Sequence, residues 1–167
     1  SSNFFYSELS AKLFITLTEI TDLFKEILDE RKECSFYNYT NIVSIKSNDN
    51  YDSFCKNNRK NDIIKSQIKF NSEIYKLSNL NDDNIEKIIK FLISKIKDET
   101  DEVIIYELIE NINIIITITI GKINQIEYWN EFISVLNKIK NKSEGYKHIK
   151  NKTIFKTMDI LDLINKN

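Results

Sequence analysis

The only histidine of the chain, His148, stands among Lys147 and Lys150, with no second histidine and no cysteine at a ligand spacing. Zinc sites assemble several His and Cys ligands, and hydrolytic triads need a histidine set between a nucleophile and a carboxylate. His148 has neither arrangement around it, so it reads as a surface residue near a helix start. Cys34 and Cys55 lie in polar stretches, and no signal-peptide pattern or membrane-length apolar run accompanies them. An intracellular, reducing compartment is the expectation. No catalytic residue, metal or cofactor is predicted, and the chain is expected not to be an enzyme.

Two carboxylate pairs, Asp82 with Asp83 and Asp159 with Asp162, have the residue type for acid–base work or magnesium. The first pair suits a helix N-terminus, where anions are favoured. The second is spaced i,i+3 on a helix and suits a basic neighbour or a partner. Between positions 138 and 156, Lys138, Lys140, Lys142, Lys147, Lys150, Lys152 and Lys156 face only Glu144. This is a local basic patch able to follow a phosphate backbone, against which stands the plainer reading of a solvated lysine-rich face, since Tyr146 is the one aromatic interleaved in it. The whole chain does not share the bias. Its 24 basic and 25 acidic residues leave a net charge of −1, so attraction to nucleic acid would have to be local.

The elements that hold these residues are predicted to be helices. There is no proline and there are two glycines, Gly121 and Gly145, which starves tight β-turns and Gly-rich phosphate loops alike. A chain of 167 residues fits one domain, with a first helical part at 1–43, a polar connector at 44–62 and core helix pairs at 63–167. Leu9, Leu13, Leu17, Ile20, Phe24 and Ile27 recur at helical steps and predict one long amphipathic helix from Phe4 to Glu33. Lys12, Glu19, Asp22, Lys25 and Glu26 form its solvated side. SIKSNDNYDSFCKNNRKND, from Ser44 to Asp62, lacks an apolar period and reads as loop or disordered connector.

A helix follows from Ile63 to Leu77, with Ile64, Ile68, Ile74, Tyr75 and Leu77 as buried candidates. Asn81 can cap the next, stapled by Leu80 and Ile85, and Ile85, Ile88, Ile89, Leu92, Ile93 and Ile96 form its apolar face. Thr100 can cap another, with Asp101 and Glu102 in the first turn. The β-branched run from Asn113 to Ile120 has strand propensity. It also continues the spacing of Val103, Ile104, Leu108, Ile109, Ile112, Ile115 and Ile116, and a lone strand among helices would leave its edges unpaired, so helix is predicted. Ile126, Trp129, Phe132, Ile133, Leu136 and Ile139 mark a further helix, and Ile154, Phe155, Met158, Leu161 and Leu163 the last. Consecutive helices with short polar turns suggest an all-α stack of antiparallel pairs, a HEAT-like α-solenoid.

The stretch IKFNSEIYKLSNLNDDNIEKIIKFL resembles the most recognisable segment of the middle domain of translation initiation factor 4G, through Ile68, Lys69, Phe70, Glu73, Tyr75, Lys76 and Leu77. Where that family carries Gly-Asn and a second glycine, this chain has Ser66, Gln67 and Ser72. YELIENINIIITITIGK is similar to the penultimate repeat, which ends in a glycine and a basic residue, here Gly121 and Lys122. NKTIFKTMDILDLINKN resembles the closing helix through Lys152, Phe155, Asp159, Leu161, Asp162 and Leu163, with Ile154 and Ile164 where arginines are usual. The N-terminal helix and its ERKEC end resemble the preceding repeat, and the polar stretch falls where the family tolerates insertions. The family domain has about five helix pairs, of which this chain matches the last three. Its excess of Ile, Asn and Lys is what AT-rich codons favour, as in protists and large DNA viruses.

The resemblance implies a cytoplasmic scaffold for a DEAD-box RNA helicase of the initiation factor 4A type, bridging its two lobes to speed nucleotide and RNA cycling. Contact candidates on that basis are Lys69 and Glu73, and Lys152, Phe155, Asp159 and Asp162; for Phe155 a buried core role competes. Other initiation factors would bind through segments outside this chain. A second expectation is an RNA-binding helical module using Lys138, Lys140, Lys142, Lys147 and Lys150. A third, a groove-bearing apoptosis regulator of the Bcl-2 type, lacks its Asn-Trp-Gly-Arg element, since Trp129 is followed by Asn130 and Glu131.

Overall fold

The structure, a computed structural model, describes residues 6–27, 30, 41–45, 50–78 and 84–166. The described residues contain helices and turns and no strand. The chain divides into two compact units, Ser1–Asn84 and Ile85–Asn167.

In the first unit, helix α1 (Ser7–Ile20) packs on helix α2 (Tyr51–Leu77). The long helix expected from Phe4 to Glu33 is interrupted. Thr21 is extended (φ −150°, ψ 137°), and its hydroxyl accepts the Leu23 N–H at 3.3 Å as residues 22–27 resume the helix. Thr21 thus closes one helix and caps the next, which Thr does well because its short side chain reaches the following N–H groups. The expected ends at Phe4 and Glu33 lie outside the described residues, as do Cys34 and the ERKEC stretch.

The expected apolar face of α1 also differs. Leu9, Leu13 and Ile20 are exposed, while Ala11 is buried with Phe14 and Ile15 against Ile74, Phe70 and Leu77. Phe14 meets Phe24 and Phe70 edge to face, with centroids 5.7 and 6.2 Å apart. Helix α1 is apolar on two sides, and the side with the small residues Ser7 and Ala11, both buried, is the one that lets α2 come close.

The polar connector proved shorter than expected. Asn50 caps α2 by accepting the Ser53 N–H at 2.8 Å, and the helix runs from Tyr51 through all the polar positions to Asp62. Residues 51–56 are exposed on every side. No apolar stripe is needed there, because adding turns to a helix already nucleated over the buried positions 61–75 carries no new nucleation cost, and neither Gly nor Pro interrupts. Of the expected core of α2, Ile64, Ile68, Ile74 and Tyr75 are buried and Leu77 is half-buried. Ser66 and Ser72 are buried as well, their hydroxyls donating to Asp62 O and Ile68 O at 2.8 Å.

Asn61 ties Val43, just before the polar stretch, to α2. It is 3% exposed; its Oδ1 accepts the Val43 N–H at 3.1 Å and its Nδ2 donates to Val43 O at 3.0 Å. The amide therefore pairs both polar groups of one residue, as a neighbouring strand would. Asn61→Ala should lower stability by about 1–2 kcal/mol, because both groups lose partners. Urea unfolding followed by circular dichroism checks this, and an unchanged midpoint would refute it.

The second unit contains helices α3 (Asn84–Asp98), α4 (Glu102–Thr119), α5 (Trp129–Lys140) and α6 (Asn151–Asn165), with a 3₁₀ turn at Ile123–Gln125. Every expected apolar residue of α3 is buried, from Ile85 to Ile96. The cap at Asn81 and its staple residue Leu80 lie outside the described residues. Helix α4 is capped by Asp101, which accepts the Val103 N–H at 2.9 Å, one position after the expected Thr100. The β-branched run is helical through Thr119; of the expected face Leu108, Ile109, Ile112, Ile115 and Ile116 are buried, while Val103 is exposed, Ile104 half-buried, and Ile105 takes the buried place beside them. Burial of that continuous stripe outweighs the strand propensity. In α5, Phe132, Leu136 and Ile139 are fully buried. The turn before α6 uses Gly145 at φ 86°, a conformation in which a side chain would be strained. Helix α6 packs on both α4 and α5.

Candidate functional site

Helix α6 buries Thr153, Ile154, Thr157, Ile160 and Leu161, a stripe on one side at helical spacing. The apolar set expected for this helix is only partly right: Ile154 and Leu161 are buried, but Phe155 is 63% and Met158 38% exposed. The core role weighed for Phe155 is thereby excluded in this structure. Lys152, Phe155, Asp159 and Asp162 are spaced three, four and three residues apart, share the outward face and are all exposed. A large aromatic thus sits between one cation and two carboxylates.

This face is held from below by α4 through a row of polar contacts. Glu102 accepts the Thr153 hydroxyl at 2.8 Å and the Lys150 N–H at 3.2 Å. One turn on, the Lys152 ammonium lies 3.6 Å from the Tyr106 ring centre, a cation–π contact. A further turn on, Lys156 pairs with Glu110 at 3.1 Å, both about three-quarters buried. Burial first, then the hydrogen bond to Glu110 and the charges of Glu110, Glu107 and Asp159, push the Tyr106 phenol up to about 12. Tyr106 therefore stays a neutral donor throughout the physiological range. Since 102, 106 and 110 meet 153, 152 and 156 in nearly ascending order, α4 and α6 run in the same direction.

The same device joins α3 and α5. Glu86, in the first turn of α3, accepts the Tyr128 N–H at 3.3 Å and the Lys90 ammonium at 2.6 Å. Neither α5 nor α6 has a side-chain cap of its own, so each starts on a carboxylate from the first turn of an earlier helix, where the dipole favours an anion. The Lys90 hydrogen bond holds the Glu86 carboxyl below its ordinary value of 4.5, with help from the backbone N–H groups of Tyr128 and Glu127 and against the effect of burial.

A depressed folded value means that this stabilisation is complete above the ordinary glutamate range and is lost as pH falls through the folded value. Glu86→Gln should therefore cost about 1 kcal/mol at neutral pH, a figure kept small because Lys90 is half-exposed. The difference from the parent chain should vanish in acid. Urea midpoints across the acid range check this, and a pH-independent difference would refute it.

The remaining candidates fall in three places. Lys138, Lys140, Lys142, Lys147 and Lys150 are exposed at the end of α5 and the turn into α6, where Lys142 Nζ donates to Asn151 Oδ1 at 3.3 Å. The end of α3 reaches the same turn, since a Cβ on Gly145 would stand 4.0 Å from Lys97 Cε. Lys97 is thus an addition to the patch that its distance along the chain conceals. His148 is exposed in this turn.

In the first unit, Lys69 is half-buried and Glu73 only 4% exposed, with the Lys76 ammonium 3.8 Å from its carboxylate. Asp82 and Asp83 lie outside the described residues, and Cys55 is exposed. Among the described residues, no group of three His, Cys, Asp or Glu side chains is placed to hold a metal, and no helix is long and apolar enough to cross a membrane. Compared with protein-family models, curated proteins and solved structures, the chain shows no match.

Proposed function

We propose that this chain is a non-enzymatic helical scaffold of the translation initiation factor 4G middle-domain type, which docks a DEAD-box RNA helicase of the initiation factor 4A type through the outward face of α6. The observation that carries the proposal is Phe155, 63% exposed on the same outward face of α6 as Asp159 and Asp162 and beside Lys152. An exposed aromatic with charges on the same face suits an interface, where the ring can fill a pocket and the charges set partner and register.

Two further observations support it. Joining the N-terminus of α5 to α3, and that of α6 to α4 with α4 and α6 parallel, is compatible with stacked helix pairs. The family's glycine positions correspond to Ser66 and Ser72, both buried and small. Lys69 and Glu73 belong to the other unit, and Glu73 is buried, so α6 alone bears the docking proposal.

A stiff surface can bias the relative position of two helicase lobes only if it binds them differently in their open and closed states. The proposal places this work in the cytoplasm, in translation. Its test is a binding titration against the purified helicase at low and high salt. Binding that survives added salt supports docking around an apolar centre, and absence of binding at either salt refutes it. A second reading, RNA binding, is favoured by the approach of Lys97 to the turn that carries the other lysines. It predicts RNA affinity that falls steeply with salt.

A further inference from the structure

The outward side of α1 displays Tyr6, Leu9, Leu13 and Ile20, exposed to 58, 65, 60 and 72%, with Thr16 exposed between the last two. Steps of three, four, three and four residues place these five at successive a and d positions of a heptad pattern, the seam along which two helices pack. The opposite side of α1 is already occupied by α2 through Ala11, Phe14 and Ile15, so the stripe is a second apolar face and not the core side. Its four large side chains present on the order of 500 Å² of apolar surface, near the top of what a monomer shows. Two such faces in full contact would bury up to about 1,000 Å², which reaches the lower bound for a specific interface.

The flanking charges identify the occupant. Lys12 and Glu19 stand one heptad apart along the same edge of the seam, both exposed, while the other edge carries the half-buried Leu17. Two antiparallel copies bring Lys12 of each toward Glu19 of the other, twice over, whereas a parallel pair would set these charges against Leu17 and its equivalents. A surface complementary to itself is what a two-fold contact requires. The existing pair between Lys12 and Glu8, at 2.7 Å, joins two side chains more than half exposed, and it exchanges readily for a contact in an interface.

We propose that the chain forms a two-fold dimer through antiparallel α1 helices, Leu9 layering on Ile20 and Leu13 on Thr16 of the second copy. The surface lies in the first unit and does not depend on the function assigned to α6.

Sedimentation equilibrium of the intact chain over about a hundred-fold range of concentration is expected to show a monomer–dimer equilibrium. Leu13→Glu should be monomeric at every concentration with an unchanged circular dichroism spectrum, because the side chain it replaces is exposed. Thr16→Leu completes the apolar layer and should tighten the dimer by about ten-fold. Lys12→Glu should weaken it, and adding Glu19→Lys to that variant should restore it. A parent chain that is monomeric throughout overturns the proposal, as does a dimer that neither Leu13→Glu nor Thr16→Leu alters, or a monomer that uses this stripe to bind a different protein.

Discussion

Replacing Glu102 with alanine is expected to destabilise the second unit by about 2–3 kcal/mol, the largest effect anticipated for any residue outside the hydrophobic core. Loss of the carboxylate uncaps α6, which costs about 1 kcal/mol. It also strands the Thr153 hydroxyl, whose residue is fully buried and which donates to Glu102 at 2.8 Å; a buried hydroxyl without a partner costs about 1–2 kcal/mol more. The single tryptophan, Trp129, lies in this unit 5.7 Å from the Phe132 ring, so its fluorescence reports the unfolding. Thr153→Val removes the donor itself. The double variant should therefore lose less than the sum of the single losses, by about 1 kcal/mol. Strict additivity would mean that the contact contributes nothing.

The second large effect falls on binding and leaves stability alone. Phe155→Ala removes a side chain that the fold does not bury, so the unfolding midpoint should stay within about 0.5 kcal/mol of the parent. If α6 docks the helicase as proposed, affinity should fall by about ten-fold or more, as expected for an aromatic anchor at an interface centre. Asp159→Ala, at the rim, should act mainly through the association rate and its salt dependence. The contrast between Glu102, which is structural, and Phe155, which is presented, separates loss of the proposed docking face from loss of the helix that carries it.

Much of this arrangement can be read from the residues, and the remainder is hidden for physical reasons. The buried face of helix α3 is legible because one side is isoleucine and leucine and the other is charged, so one face alone can be buried. Helix α1 misleads because both sides are apolar, and periodicity alone does not say which one a neighbour covers. The first turns of α2 are invisible to any search for an apolar stripe, since they are polar all round and persist by extension from the buried turns after them. The caps on α5 and α6 are beyond sequence reading, because Glu86 and Glu102 act across 42 and 48 residues. For α6 the spacing of Lys152, Phe155, Asp159 and Asp162 already places them on one face. Only the fold shows that this face points outward, because the buried stripe is built on Thr153 and Thr157, which sequence patterning counts as polar.

The most direct measurement is RNA-stimulated ATP turnover by a purified helicase of the initiation factor 4A type, titrated with the parent chain and with Phe155→Ala. Docking through α6 predicts that the parent chain accelerates turnover to saturation, and that Phe155→Ala shifts the curve by about ten-fold or more while remaining folded. Turnover that the parent chain leaves unchanged, or acceleration that Phe155→Ala matches, would contradict it.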